Sequence, residues 1–172
     1  IGLSGTLALK KYVENGGRII SLDASSDFVI SQFGLPIRND VSSIPSSSFF
    51  IPGSLVSIKV NNDPLTMGVQ KQSVAYFVRS RAFSIIELNK KGEGGIEQRK
   101  QPPSQPVKVL ARYANDNILL SGWAIGEKQY IGGKIAMASV SVGKGEVVLI
   151  GFRAQHRAQP RGTFKLLFNG LY

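Results

Sequence analysis

The chain has 172 residues, 42% of them apolar and 19% charged, a globular balance that excludes disorder as its main state. It has no cysteine, which excludes a disulfide framework, a thiolate zinc site and a thiol nucleophile; its single histidine, His156, cannot build a three-histidine metal site in one copy. Basic residues outnumber acidic ones 21 to 11, for a net charge of +10, and no apolar run approaches the ~20 residues that a membrane-spanning helix needs.

The length suits one domain over residues 1–172. The chain starts at Ile1 with no signal-peptide pattern and runs quickly into a helical one, so a fragment or processed product is expected. In the first helix Ser4 is placed to cap, Leu9, Tyr12 and Val13 share a face, and Lys10, Lys11 and Glu14 share the other. Asn15-Gly16-Gly17 stops it. Arg18 to Leu22 follows as a short buried strand. Asp23-Ala24-Ser25-Ser26 turns the chain, and Ser26 or Asp27 starts a second helix with Phe28, Val29, Ile30 and Phe33, ended by Gly34 and Pro36. This alternation predicts a parallel sheet covered by helices.

Residues 41–53, rich in Ser and Pro, read as loop. Leu55 to Val60, Val74 to Val78 and Phe83 to Leu88 are strand candidates, with a turn-rich link at Asn61 to Gly68. Residues 89–106 are dense in breakers and read as a flexible loop inside the domain. Four strands are expected next: Val107 to Tyr113, Ile118 to Trp123, Lys134 to Val142 and Glu146 to Phe152, the last two joined by a hairpin at Gly143-Lys144-Gly145. A polar stretch, Arg153 to Gly162, leads to a closing helix with Phe164, Leu167, Phe168 and Leu171 at helical spacing.

Two places carry candidate chemistry. A strand that ends at a sharp turn feeding a helix exposes a side chain at the carboxyl edge of the sheet, which points to Asp23, Ala24 and Ser25. The same residue types also serve as plain turn and cap residues. A triad of Ser25 or Asp23 with His156 requires the distant histidine loop to fold back. The second place is Arg153, His156, Arg157 and Arg161, a set able to hold a carboxylate or phosphate, or equally to pair with the protein's own carboxylates. The net charge raises nucleic acid as a partner, but Lys10-Lys11, Lys90-Lys91 and Arg99-Lys100 are scattered and no helix carries a basic stripe. A basic module for anions or nucleic acid is therefore the third reading. Asp63 in Asn61-Asn62-Asp63-Pro64 is a turn residue before proline rather than a calcium ligand.

The segment Leu9 to Asp27 resembles the nucleophile-turn region of class I glutamine amidotransferase-like domains, and Asp63 to Gly68 resembles their His-Pro-Leu…Gly stretch with Asp in place of His. Leu120 to Trp123, Gly143 to Arg153 and Gly162 to Asn169 resemble the C-terminal region of large bacterial zinc-carboxypeptidase-like proteins, in which an amidotransferase-like domain follows the peptidase domain. The resemblance covers most of the chain apart from 89–106.

It implies an α/β, flavodoxin-like three-layer sandwich, lacking its first strands and carrying extra C-terminal strands. The nucleophile position falls on Asp23, or one residue on at Ala24. The expected role is therefore a non-catalytic accessory domain, structural or ligand-binding, with a hydrolase built on the elbow as the alternative. No cofactor is expected here; zinc would belong to an upstream peptidase domain, which is the expected partner. A homodimer through an exposed sheet edge is the other expected partnership, membranes are not expected, and the resemblance tilts the location toward export.

Overall fold

The computed structural model describes residues 1–86 and 105–172, so nearly all of the breaker-dense segment at 89–106 lies outside the described residues. Helix α1 (Leu3–Glu14) is capped by Gly2, whose carbonyl accepts from the Thr6 N–H and hydroxyl; Ser4 lies inside the helix and does not cap it. Strand β1 (Arg18–Leu22) and helix α2 (Ser25–Phe33) follow, and Gly34 ends α2 in the left-handed conformation at φ +64°. Ala24 holds the N-cap of α2, so neither Ser26 nor Asp27 does.

Next come β2 (Ile37–Asn39), β3 (Ser54–Val60), β4 (Gln72–Phe77) and β5 (Phe83–Ile85). Between β3 and β4 the Asp63 carboxylate accepts from the Leu65 N–H and caps a 3-10 turn at Pro64–Thr66, which confirms its turn role. The C-terminal part holds β6 (Val107–Tyr113), β7 (Leu119–Ser121), α3 (Glu127–Ile131), β8 (Ile135–Val142), β9 (Gly145–Ile150) and α4 (Phe164–Leu171).

Among the described residues the strands form one nine-stranded sheet with the main order β1-β9-β8-β6-β3-β4; β7 joins β3, and the β2–β5 pair meets β8. Of these strands only β1 and β9 run parallel, and every other described pairing is antiparallel. The sheet is therefore mixed, not the parallel one that helix–strand alternation predicts. The cause lies in the connections. A hairpin through Gly143-Lys144 and the short β3–β4 link can only return the chain antiparallel, whereas a parallel pair needs a long crossover.

Both sheet faces are covered. Val13 of α1 and Val29 and Phe33 of α2 pack with Val140, Val147 and Leu149 on one face. Leu166 of α4 and Leu65 pack with Ile58, Val148 and Ile150 on the other. Successive β9 residues thus serve opposite cores, which explains why β9 reads as a continuous apolar run. Each such fully buried side chain contributes about 1.5–3 kcal/mol. Arg18 ties the margin together: it donates to Glu146 of β9 at 2.7 Å and to the Gly170 carbonyl of α4 at 3.1 Å.

Candidate functional site

At the carboxyl end of β1 the Asp23 N–H donates to the Ile150 carbonyl at 2.7 Å, so the turn starts as a continuation of the β1–β9 pairing. Asp23 itself adopts φ +50°, a left-handed conformation that Asp tolerates better than most side chains. The Ser26 N–H donates to the Asp23 carbonyl and closes the elbow into α2. Ser25 is used locally: its hydroxyl donates to the Leu22 carbonyl at 2.6 Å and accepts from the Leu22 N–H at 3.0 Å. Ala24 supplies only the N-cap backbone.

The two places singled out in the sequence meet here. Arg153 Nε donates to Asp23 Oδ2 at 3.1 Å. Arg81 Nη1 approaches Asp23 Oδ1 at 3.8 Å, while its Nε and Nη2 both donate to Asp27 Oδ2, at 2.9 and 2.8 Å. Two guanidiniums thus face two carboxylates, and the cluster carries no net charge. Asp23 Oδ1 is buried without a hydrogen bond among the described residues. Beneath the cluster the fully buried Tyr113 donates to the Arg81 carbonyl at 2.7 Å. Burial and the neighbouring Asp23 charge push its hydroxyl well above the usual tyrosine range, so it stays protonated as a donor.

The polar stretch divides in space. His156 stacks on Tyr76, with ring centroids 4.7 Å apart, and its Nδ1 lies 3.5 Å from Arg153 Nη1. Among the described residues no hydrogen bond joins His156 to Asp23 or Ser25. Arg161 starts the last 3-10 turn and lines a separate groove with Tyr76, and Arg157 is exposed at φ +48°. Of the four basic candidates, only Arg153 reaches the elbow directly and His156 touches it through Arg153. Arg81, Asp27 and Tyr113 join the site although nothing in the sequence pattern singled them out as site residues. The one available signal was Arg79-Ser80-Arg81, two arginines in a short stretch between strands. Among the described residues no cluster of His, Asp and Glu could hold a metal ion, and no helix is long and apolar enough to cross a membrane.

No protein-family model matches the chain, and no curated protein matches it by sequence. Solved structures do resemble it. A β-galactosidase from Bacillus circulans sp. alkalophilus superposes with a TM-score of 0.56 at 12% identity, over 99% of this chain and 20% of that one. A GMP synthase-type protein from Thermoplasma acidophilum gives 0.52 at 11% identity, over 98% of this chain and 63% of the other. A ThuA-like protein from Bacteroides uniformis gives 0.51 at 16% identity, over 99% and 63%. The chain therefore spans less than two thirds of each of these structures. Likeness at such identity concerns the fold alone, and that fold is a flavodoxin-like α/β sandwich.

Proposed function

We propose that this chain is a non-hydrolytic amidotransferase-like domain that serves a larger protein as a packing or ligand-binding module. The observation that carries this reading is Asp23: it stands at the elbow position where the resemblance places a nucleophile, and its carboxylate is tied to Arg153. Acyl transfer there needs an unencumbered nucleophile and a base within reach of it. A carboxylate held by guanidiniums is a poor nucleophile, and the chain has no thiol to replace it. The larger protein that the sequence resemblance names is zinc-carboxypeptidase-like, with its metal in a separate peptidase domain.

The hydrolase alternative uses Ser25 or Asp23 with His156. Ser25 spends its hydroxyl on both polar groups of Leu22, and His156 lies against Tyr76 and Arg153. Both arrangements favour a structural use of these residues. Ammonia release from glutamine and hydrolysis of a p-nitrophenyl ester test the proposal. No turnover above buffer is the expected result. Turnover that disappears in Ser25→Ala or Asp23→Asn overturns it.

A further inference from the structure

We infer that the cleft between the loop at 41–51 and Trp123 is a binding site for an acidic saccharide unit, with its ring on Trp123 and its carboxylate on Arg79. The cleft has a volume of about 790 Å³ and lies beside the elbow cluster, since Asp27 and Arg81 form part of its wall. That size falls within the ~300–1,000 Å³ of small-ligand sites.

Trp123 is an exposed ring on a fixed backbone. The buried Ser54 hydroxyl accepts from the Trp123 backbone N–H at 2.9 Å and donates to its carbonyl at 2.6 Å, yet the residue remains 53% exposed. A paired bridge between Phe50 and Ile125 pins this loop to the opposite wall, and the Phe50 and Trp123 rings meet edge to face at 5.9 Å. Arg79 completes the cleft. It is held at φ +51° because its N–H donates to the Ile51 carbonyl at 3.0 Å and its carbonyl accepts from Arg81 at 2.7 Å. Strain of this kind in a non-glycine residue recurs at binding sites. The Arg79 guanidinium lies 5.8 Å over the Phe50 ring and makes no ion pair among the described residues, whereas the adjacent Arg81 is committed to Asp27.

These groups select a ligand chemistry. A flat indole face with an apolar neighbour receives the C–H face of a sugar ring. The hydroxyls of Ser46 and Ser47, at the cleft wall, have no protein partner among the described residues and suit ring hydroxyls. A guanidinium fork suits a carboxylate better than a neutral group. A purely aromatic acid would leave the serines unused, and a neutral sugar would leave Arg79 unused.

The inference rests on the reading of this chain as a binding domain, but its test is separate. Trp123 is the sole tryptophan, so its fluorescence reports on this cleft alone. Glucuronate, glucose, phenylacetate and sulfate are titrated at constant ionic strength. Glucuronate should change the emission saturably, glucose should bind roughly tenfold more weakly, and Arg79→Ala should weaken glucuronate by roughly tenfold, with Arg79→Lys between. The wild-type comparison of glucuronate with glucose stands even where Arg79→Ala fails to fold. No saturable response to glucuronate, an equal response to glucose, phenylacetate or sulfate, or unchanged binding in a folded Arg79→Ala overturns the site. The glutamine and ester assays read the elbow independently, so failure of either reading is seen on its own.

Discussion

Asp40 follows β2 with only 10% of its side chain exposed, and Lys134 Nζ donates to it at 2.5 Å alongside Ser84 and Arg38. Burial alone would raise its pKa; the hydrogen bonds from Lys134, Ser84 and Arg38 and the charge of Lys134 outweigh that and hold the carboxyl below its ordinary value. A carboxyl whose folded pKa is depressed adds stability above its unfolded pKa, about 3.9, and loses it as pH falls through the folded value. Asp40→Asn should therefore cost about 1–2 kcal/mol at neutral pH and progressively less as pH falls below the unfolded pKa, measured by urea unfolding across that acid range. At the elbow, Arg153→Ala should cost about 1–2 kcal/mol, because it strips Asp23 of its hydrogen-bonded cation while leaving the carboxylate half-buried. Adding Asp23→Asn should cost less than the two single changes summed; strict additivity in a double-mutant cycle would mean the pair is not coupled. Asp23 and Arg153 were each visible in the sequence as turn-type and cluster-type residues. Their pairing was not, since it spans 130 positions and depends on β1 lying against β9. Arg81 was missed for the same reason: its partners lie 54 and more positions away.

Helix α4 shows how an apolar period can mark a helix without marking its buried face. Phe164, Leu167, Phe168 and Leu171 do repeat at helical spacing, but Phe168 and Leu171 are 50% and 65% exposed, and Leu166 with Gly170 faces the sheet. The helix is apolar over more than one face, so periodicity alone could not choose the buried one. Leu166→Ala should cost about 2–5 kcal/mol and Phe168→Ala less than about 1 kcal/mol, and chemical denaturation of the pair tests the orientation directly. Gly122 sits between β7 and the Trp123 loop at φ +100°, and an added Cβ would lie 2.5 Å from the Ser54 hydroxyl. Gly122→Ala should therefore destabilise by about 1–3 kcal/mol and shift the Trp123 emission. The strands with strong apolar runs, β1 and β6, were legible to the residue. The short β2 and α3, three and five residues long, carry too few turns or alternations to leave a pattern.

At the scale of the molecule, the parts on either side of residues 87–104 are interleaved in one sheet. β1 pairs with β9, β3 with β6 and β7, and β5 with β8. The buried cluster that holds Ile58, Val56 and Phe77 from the first part also holds Leu110, Met137, Val148 and Leu166 from the second. Neither part completes a core with its own residues, so neither has a route to independent stability. Unfolding should then be a single transition, with Trp123 fluorescence, which senses the β7 side, coinciding with far-UV circular dichroism, which senses every element. Separate midpoints would show that the parts fold as two units. The net charge of +10 acts on this same equilibrium. Raising salt from about 10 to about 200 mM shortens the screening length to below 10 Å and relieves long-range repulsion. The contacts of Asp23, Asp27 and Asp40 span only 2.5–3.1 Å, well inside the screening length, so they lose less under that screening than the long-range repulsion does. The midpoint should therefore rise with salt, and rise equally for both probes. A fall would mean that the ion pairs, not the general repulsion, dominate the electrostatics of this fold.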